Sequence, residues 1–150
     1  MLCRPITNTL FFSDVDKIPS KIWEDLSIEN NYLSFSYLKA LEKNHSEIDF
    51  YYIILKDNKD NAIALATIQI VDFYINSVKD DYQNIVKKIQ KFGKKLHLLK
   101  NEQRLTILVC GNPFISGEHG LAINLEKNRK RVLNQLVEAI SHLVDSTKSL

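Results

Sequence analysis

The pattern of apolar and polar positions cuts the chain into a short series of elements. Val78, Tyr82, Ile85, Ile89, Phe92, Leu96 and Leu99 recur at steps of three and four. That continuous stripe predicts an amphipathic helix over 78–100. Lys87, Lys88, Lys91, Lys94 and Lys95 fall mostly off the stripe, and Gly93 marks a bend or the helix end. A second long helix is expected over 126–146, with Val132, Leu133, Leu136, Val137, Ile140, Leu143 and Val144 as its buried face. Two shorter helices come earlier. One starts at Ser20 as N-cap and carries Trp23 and Leu26; the other opens at Ser34 and puts Phe35, Leu38 and Leu41 on one face. Apolar runs predict strands at 50–55, 62–75 and 105–109, with a short first strand over 7–14. The polar turn at 56–61 joins two of these into an antiparallel hairpin.

Length and composition narrow the picture. A chain of 150 residues holds one domain with a single core. Hydrophobic and charged shares of 45% and 25% belong to an ordinary soluble protein, and a net charge of +2 makes no case for nucleic acid or an anionic membrane. Cys3 and Cys110 form no disulfide framework, which fits a reducing cytoplasm. The first residues lack the apolar core of a signal peptide, and no apolar run approaches the ~20 residues of a membrane span. High Lys, Asn and Ile fit a bacterial chain. Trp23 and the aromatic run Phe50, Tyr51 and Tyr52 read as core.

The chemistry concentrates in one stretch. The buried-strand run that begins at Leu105 ends in Val109, Cys110, Gly111 and Asn112, and Gly117 and Gly120 then bracket Glu118 and His119. A strand running into a glycine-bearing loop and then a helix is the usual place for a site in an α/β protein. Glu118 and His119 are the candidate base or acid for deprotonating an amine. Cys110 reads as a small buried hydrophobe rather than a nucleophile. The four histidines are scattered, so no metal site is expected. Lys127, Arg129, Lys130 and Arg131 crowd the start of the last helix, either as a solvated face or as an anion-binding cluster.

The element order and several local words resemble a known family. Residues 18–23 (IPSKIW), 32–42 (YLSFSYLKALE), 109–114 (VCGNPF) and 116–120 (SGEHG) are similar to the first half of GNAT-like N-acyltransferases. The branch is the bacterial one related to peptidoglycan aminoacyl-transferases. The resemblance implies an α/β (α+β) fold: a mixed, largely antiparallel sheet flanked by helices, incomplete as it stands. It implies transfer of an acyl group from acetyl-CoA, another acyl-CoA or an aminoacyl donor to an amine-bearing small molecule or peptide. Val109, Cys110, Gly111, Asn112, Gly117 and Gly120 would then line the cofactor, and Glu118 and His119 would be catalytic. The family's Arg/Gln-x-x-Gly-x-Gly/Ala phosphate pattern is not present, and Glu118 would repel a phosphate. The chain also ends on a helix with an apolar face and no following strand, which suggests half of a larger object. The alternative reading is therefore a non-catalytic half that pairs with a second GNAT-like domain or with itself.

Overall fold

The computed structural model describes residues 8–26, 28–74, 104–114, 120–124 and 128–147. The helix expected over 78–100 lies outside them. The chain divides into two compact units, residues 1–69 with 108–150, and residues 70–107. Among the described residues the second unit consists of two strand ends, where the Thr106 hydroxyl donates to Asp72.

Among the described residues the class is α+β, an open antiparallel sheet with three α-helices. The elements run β1 (Thr9–Phe12), α1 (Ser20–Leu26), α2 (Phe35–Asn44), β2 (Asp49–Lys56), β3 (Ala62–Tyr74), β4 (Arg104–Cys110), β5 (Leu121–Ile123) and α3 (Arg129–Thr147). Strand order is β1-β2-β3-β4, and β5 also pairs with β3. β1 meets β2 with Thr9 opposite Leu55 and Phe12 opposite Tyr52.

Local chemistry sets the element ends. Ser34 caps α2: its Oγ accepts from Tyr37 N–H at 3.4 Å, as expected of a serine before an apolar-periodic run. Ser20, expected as a cap, is instead the first helical residue of α1, directly after Pro19. The hairpin turn is organised by Asp57, whose Oδ1 accepts from Lys59 N–H at 2.9 Å and Asn61 N–H at 3.1 Å. Asp60 takes the left-handed conformation that such a turn requires (φ 65°), which aspartate tolerates better than most residues.

Every residue from Ala62 to Ile70 is buried, so the first nine residues of β3 are covered on both faces. On one face Ile53, Leu55, Ala64, Ala66 and Ile68 form a cluster with Val132, Leu136, Ala139 and Leu143 of α3. The alanines of β3 and Ala139 let helix and sheet approach closely. Side chains alternate along a strand, so Phe50, Tyr52 and Ile54 look the other way. That face meets α2, because the Tyr52 hydroxyl donates to Glu42 Oε1 at 2.7 Å. α1 is tied to the start of β3 by Asp25, which accepts from Ala62 N–H at 3.0 Å.

Some expected core positions are exposed. Val137, placed on the buried face of the last helix, is 61% exposed, while Ala139 is fully buried in its stead. The sheet contacts α3 along the narrow 132–136–139–143 line, and Val137 lies about a third of a turn away from it. On α2 only Leu38 is buried; Phe35 is exposed and Leu41 half-buried. In α1, Ile22 and Leu26 are buried and Trp23 only half so, its ring set edge-on to Phe35. Among the described residues, no helix is long and apolar enough to cross a membrane.

Candidate functional site

The outer strand beside β3 is broken in two. Gly111 N–H donates to Thr67 O at 3.2 Å, and Thr67 N–H donates to Gly120 O at 2.8 Å. Two residues nine positions apart in sequence therefore oppose one threonine of β3. The pairing resumes at once, with Leu121 opposite Ala66 and Ile123 opposite Ala64. The arrangement is an enlarged bulge: β4 and β5 lie end to end along one edge of β3, and Gly111 and Gly120 meet where the two join.

Both flanking positions demand glycine, for different reasons. Gly111 has φ 144°, a conformation that side chains rarely adopt. At Gly120 an added Cβ would collide with Thr67 Oγ1 and come within 2.7 Å of Gly111 N and 2.8 Å of Gly111 Cα. The glycines singled out in the sequence thus close the neck of the loop.

On leaving the sheet the loop is fastened to α2. Asn112 Oδ1 accepts from Phe114 N–H at 2.9 Å, an Asx turn over Pro113, while Asn112 Nδ2 donates to the Tyr37 hydroxyl at 2.7 Å. Phe114 stacks on His45 at the end of α2, with ring centroids 4.3 Å apart and planes 22° apart. His45 Nδ1 lies 3.0 Å from Glu47 Oε1. A hydrogen bond from its own backbone, and then the one from His45, hold the Glu47 carboxyl below the usual range. Tyr32 packs edge-on to Tyr37, at 5.3 Å between centroids.

Of the expected site residues, Gly111 and Gly120 are brought together, and Asn112 follows them. Val109 and Cys110 end β4. Gly117, Glu118 and His119 lie outside the described residues. Cys110 is exposed, not the small buried hydrophobe that its place at a strand end suggested. Neighbouring protein still desolvates its thiol and raises the pKa, which leaves less thiolate at neutral pH and weighs against a nucleophile. Because Gly111 N–H points to β3, the N–H of Cys110 points away from it, toward the outer edge.

β5 stands between Gly120 and the last helix. α3 starts at Arg129, after Asn128, whose Oδ1 accepts from Arg131 N–H at 3.1 Å. Its first turn holds no acidic residue, and Arg129, Lys130 and Arg131 are exposed. Cations at the positive end of a helix disfavour the helix itself. Together with the N–H donors there they form a surface suited to an anion. Lys127 lies outside the described residues.

Tyr37, His45 and Thr67 had no functional signal in the sequence. The Asn-Pro pair announced a turn, but its partner Tyr37 stands 75 positions away. Among the described residues, no group of three or more His, Cys, Asp or Glu side chains is placed to hold a metal ion. No family model matches the chain, and no curated protein and no solved structure is significantly similar to it.

Proposed function

We propose that this chain is a GNAT-like acyltransferase domain that moves an acyl group from a CoA thioester to an amine. The observation that carries this reading is the broken outer strand β4–β5, followed in the chain by the basic start of α3. The order β1-α1-α2-β2-β3-β4, with α2 and α3 on opposite faces of an antiparallel sheet, supports it. So does an outer edge at Cys110 whose N–H is directed away from β3.

In this reading the thioester lies along that edge, and the outward N–H polarises its carbonyl. The first turn of α3, with Arg129, Lys130 and Arg131, receives the phosphates of CoA. The amine attacks the carbonyl carbon, the C–S bond breaks, and the sulfur leaves as thiolate. The proton lost by the amine passes to Glu118 or His119. Tyr37 and Asn112 tie the chain that leaves β4 to α2.

Calorimetry with acetyl-CoA tests the proposal. Binding is expected, and it should weaken as salt rises and when Arg129, Lys130 and Arg131 are all changed to Ala. Neither heat nor a thermal shift at millimolar acetyl-CoA would sink it. A second reading, a non-catalytic half that pairs with another such domain or with itself, draws on the exposed Val137 beside half-buried Leu133 and Ile140. Light scattering on a size-exclusion column separates the two: a stable monomer at high concentration argues against pairing with itself.

A further inference from the structure

The chain that leaves β4 meets α2 in two places, and the two contacts differ in kind. Asn112 Nδ2 donates to the Tyr37 hydroxyl at 2.7 Å, a bond between groups of no formal charge. Phe114 then lies ring to ring on His45, with centroids 4.3 Å apart and planes 22° apart. This second contact sets a phenyl face against the side-chain type whose charge ordinarily changes between pH 5 and 8.

The backbone that carries His45 is fixed on both sides. His45 N–H donates to Glu42 O at 3.4 Å and closes α2, and His45 O accepts from the N–H of buried Ile48 at 3.1 Å. The turn so formed brings Glu47 Oε1 to 3.0 Å from His45 Nδ1. With its carboxyl held below the usual range, by its own backbone first and His45 second, Glu47 stays anionic over that pH interval. From α2 the other charged groups are Lys43, exposed in the last turn, and Glu42, whose Oε1 is taken up by Val15 and Tyr52. The turn adds Asp49, also exposed, and Asn112, Pro113 and Phe114 bring no charge. A proton on His45 thus meets the Phe114 ring, the Glu47 carboxylate and the negative end of the α2 dipole, with Lys43 opposing.

We propose that the stack of Phe114 on His45 is a pH-sensitive clasp, which tightens on the chain leaving β4 as His45 takes up a proton. Against a neutral imidazole the phenyl ring makes an apolar contact. Against an imidazolium it adds a cation–π attraction, which at a part-exposed site corresponds to about a two- to five-fold gain in affinity. The bond from Asn112 to Tyr37 keeps the segment beside α2 when the clasp is loose, so protonation acts on a contact already in place. The inference does not depend on the acyl-transfer reading.

NMR titration of the whole chain between pH 5 and 8 tests it. The Phe114 ring protons and the Asn112 side-chain amide should titrate with the same midpoint as the His45 ring, and in His45→Gln they should stay still. Phe114→Leu, at a side chain 38% exposed, keeps an apolar contact without a π face. It should lower the proton affinity of His45 about two- to five-fold. Glu47→Gln should lower it as well, and high salt should erase the Glu47 part while leaving the Phe114 part. An unchanged proton affinity in Phe114→Leu overturns the proposal even where Glu47→Gln lowers it, because that outcome is an ordinary surface ion pair. Phe114 and Asn112 signals that titrate equally in His45→Gln overturn it too.

Discussion

The two faces of the sheet are built on different principles. The face under α3 joins Ile53, Leu55, Ala64, Ala66 and Ile68 to Val132, Leu136, Ala139 and Leu143, all apolar. The face under α1 and α2 also buries apolar residues, Ile54 and Leu65 among them, but polar groups run through it. Tyr52 reaches Glu42, Glu42 reaches Val15, and Thr67 and Gln69 are buried at 3% and 1% exposure. Gln69 Oε1 has no partner among the described residues, a cost that folded proteins seldom carry without compensation. Apolar packing is forgiving in direction, whereas hydrogen bonds fix positions. Both faces bury apolar surface, and the hydrogen bonds of the second also hold α2 in register with β2.

Substitutions can break or sharpen that contrast. Leu136→Ala, at a side chain 2% exposed, should cost about 2–5 kcal/mol in chemical denaturation, the largest effect expected here. A cost under 1 kcal/mol would mean that α3 packs only loosely on the sheet. Gly120→Ala should cost about 2–3 kcal/mol, because a Cβ there strikes both Thr67 and the Gly111 backbone. Adding Thr67→Ala should relieve only part of that, since the clash with Gly111 stays; full rescue would make the side chain the whole obstacle.

Tyr52→Phe should cost about 1.5–2 kcal/mol near neutral pH, through the lost bond to a carboxylate. This effect carries a pH signature. Folding raises the Tyr52 pKa, by burial first and Glu42 second, so its contribution is fully present below the unfolded value of about 10 and is lost as pH rises beyond it. The wild type should lose stability above that pH more steeply than Tyr52→Phe, and parallel curves would remove Tyr52 from the account. Gln69→Met should be the mildest, within about 1 kcal/mol of wild type or slightly stabilising, because an orphaned acceptor is exchanged for an apolar group. A large loss there would reveal a polar partner and make the two faces less different.

Much of this architecture was written locally and could be read locally. The serine before α2, the turn residues around Asp57 and the branched run of β4 each act on near neighbours, so sequence spacing finds them. The line 132–136–143 on α3 was equally visible. Val137 was misjudged because periodicity shows which residues are apolar, not how wide a stripe the partner covers. β5 was missed because three residues after a glycine carry too little pattern, and it exists through its pairing with β3. The candidate loop was located from its glycines, yet the clasp of Asn112 on Tyr37 and of Phe114 on His45 joins distant segments and left no local trace.

The neck at Gly111 and Gly120 has a consequence for how such a chain can change over generations. Each half of the broken strand is pinned to β3 by its own hydrogen bonds, and the two ends meet at Thr67. The number of residues between Gly111 and Gly120 is not fixed by these pairings. Insertions or deletions there leave every pairing of β3 in register, so the segment behaves as an exchangeable cassette. New chemistry can be tried at that place while the scaffold that presents it is inherited unchanged.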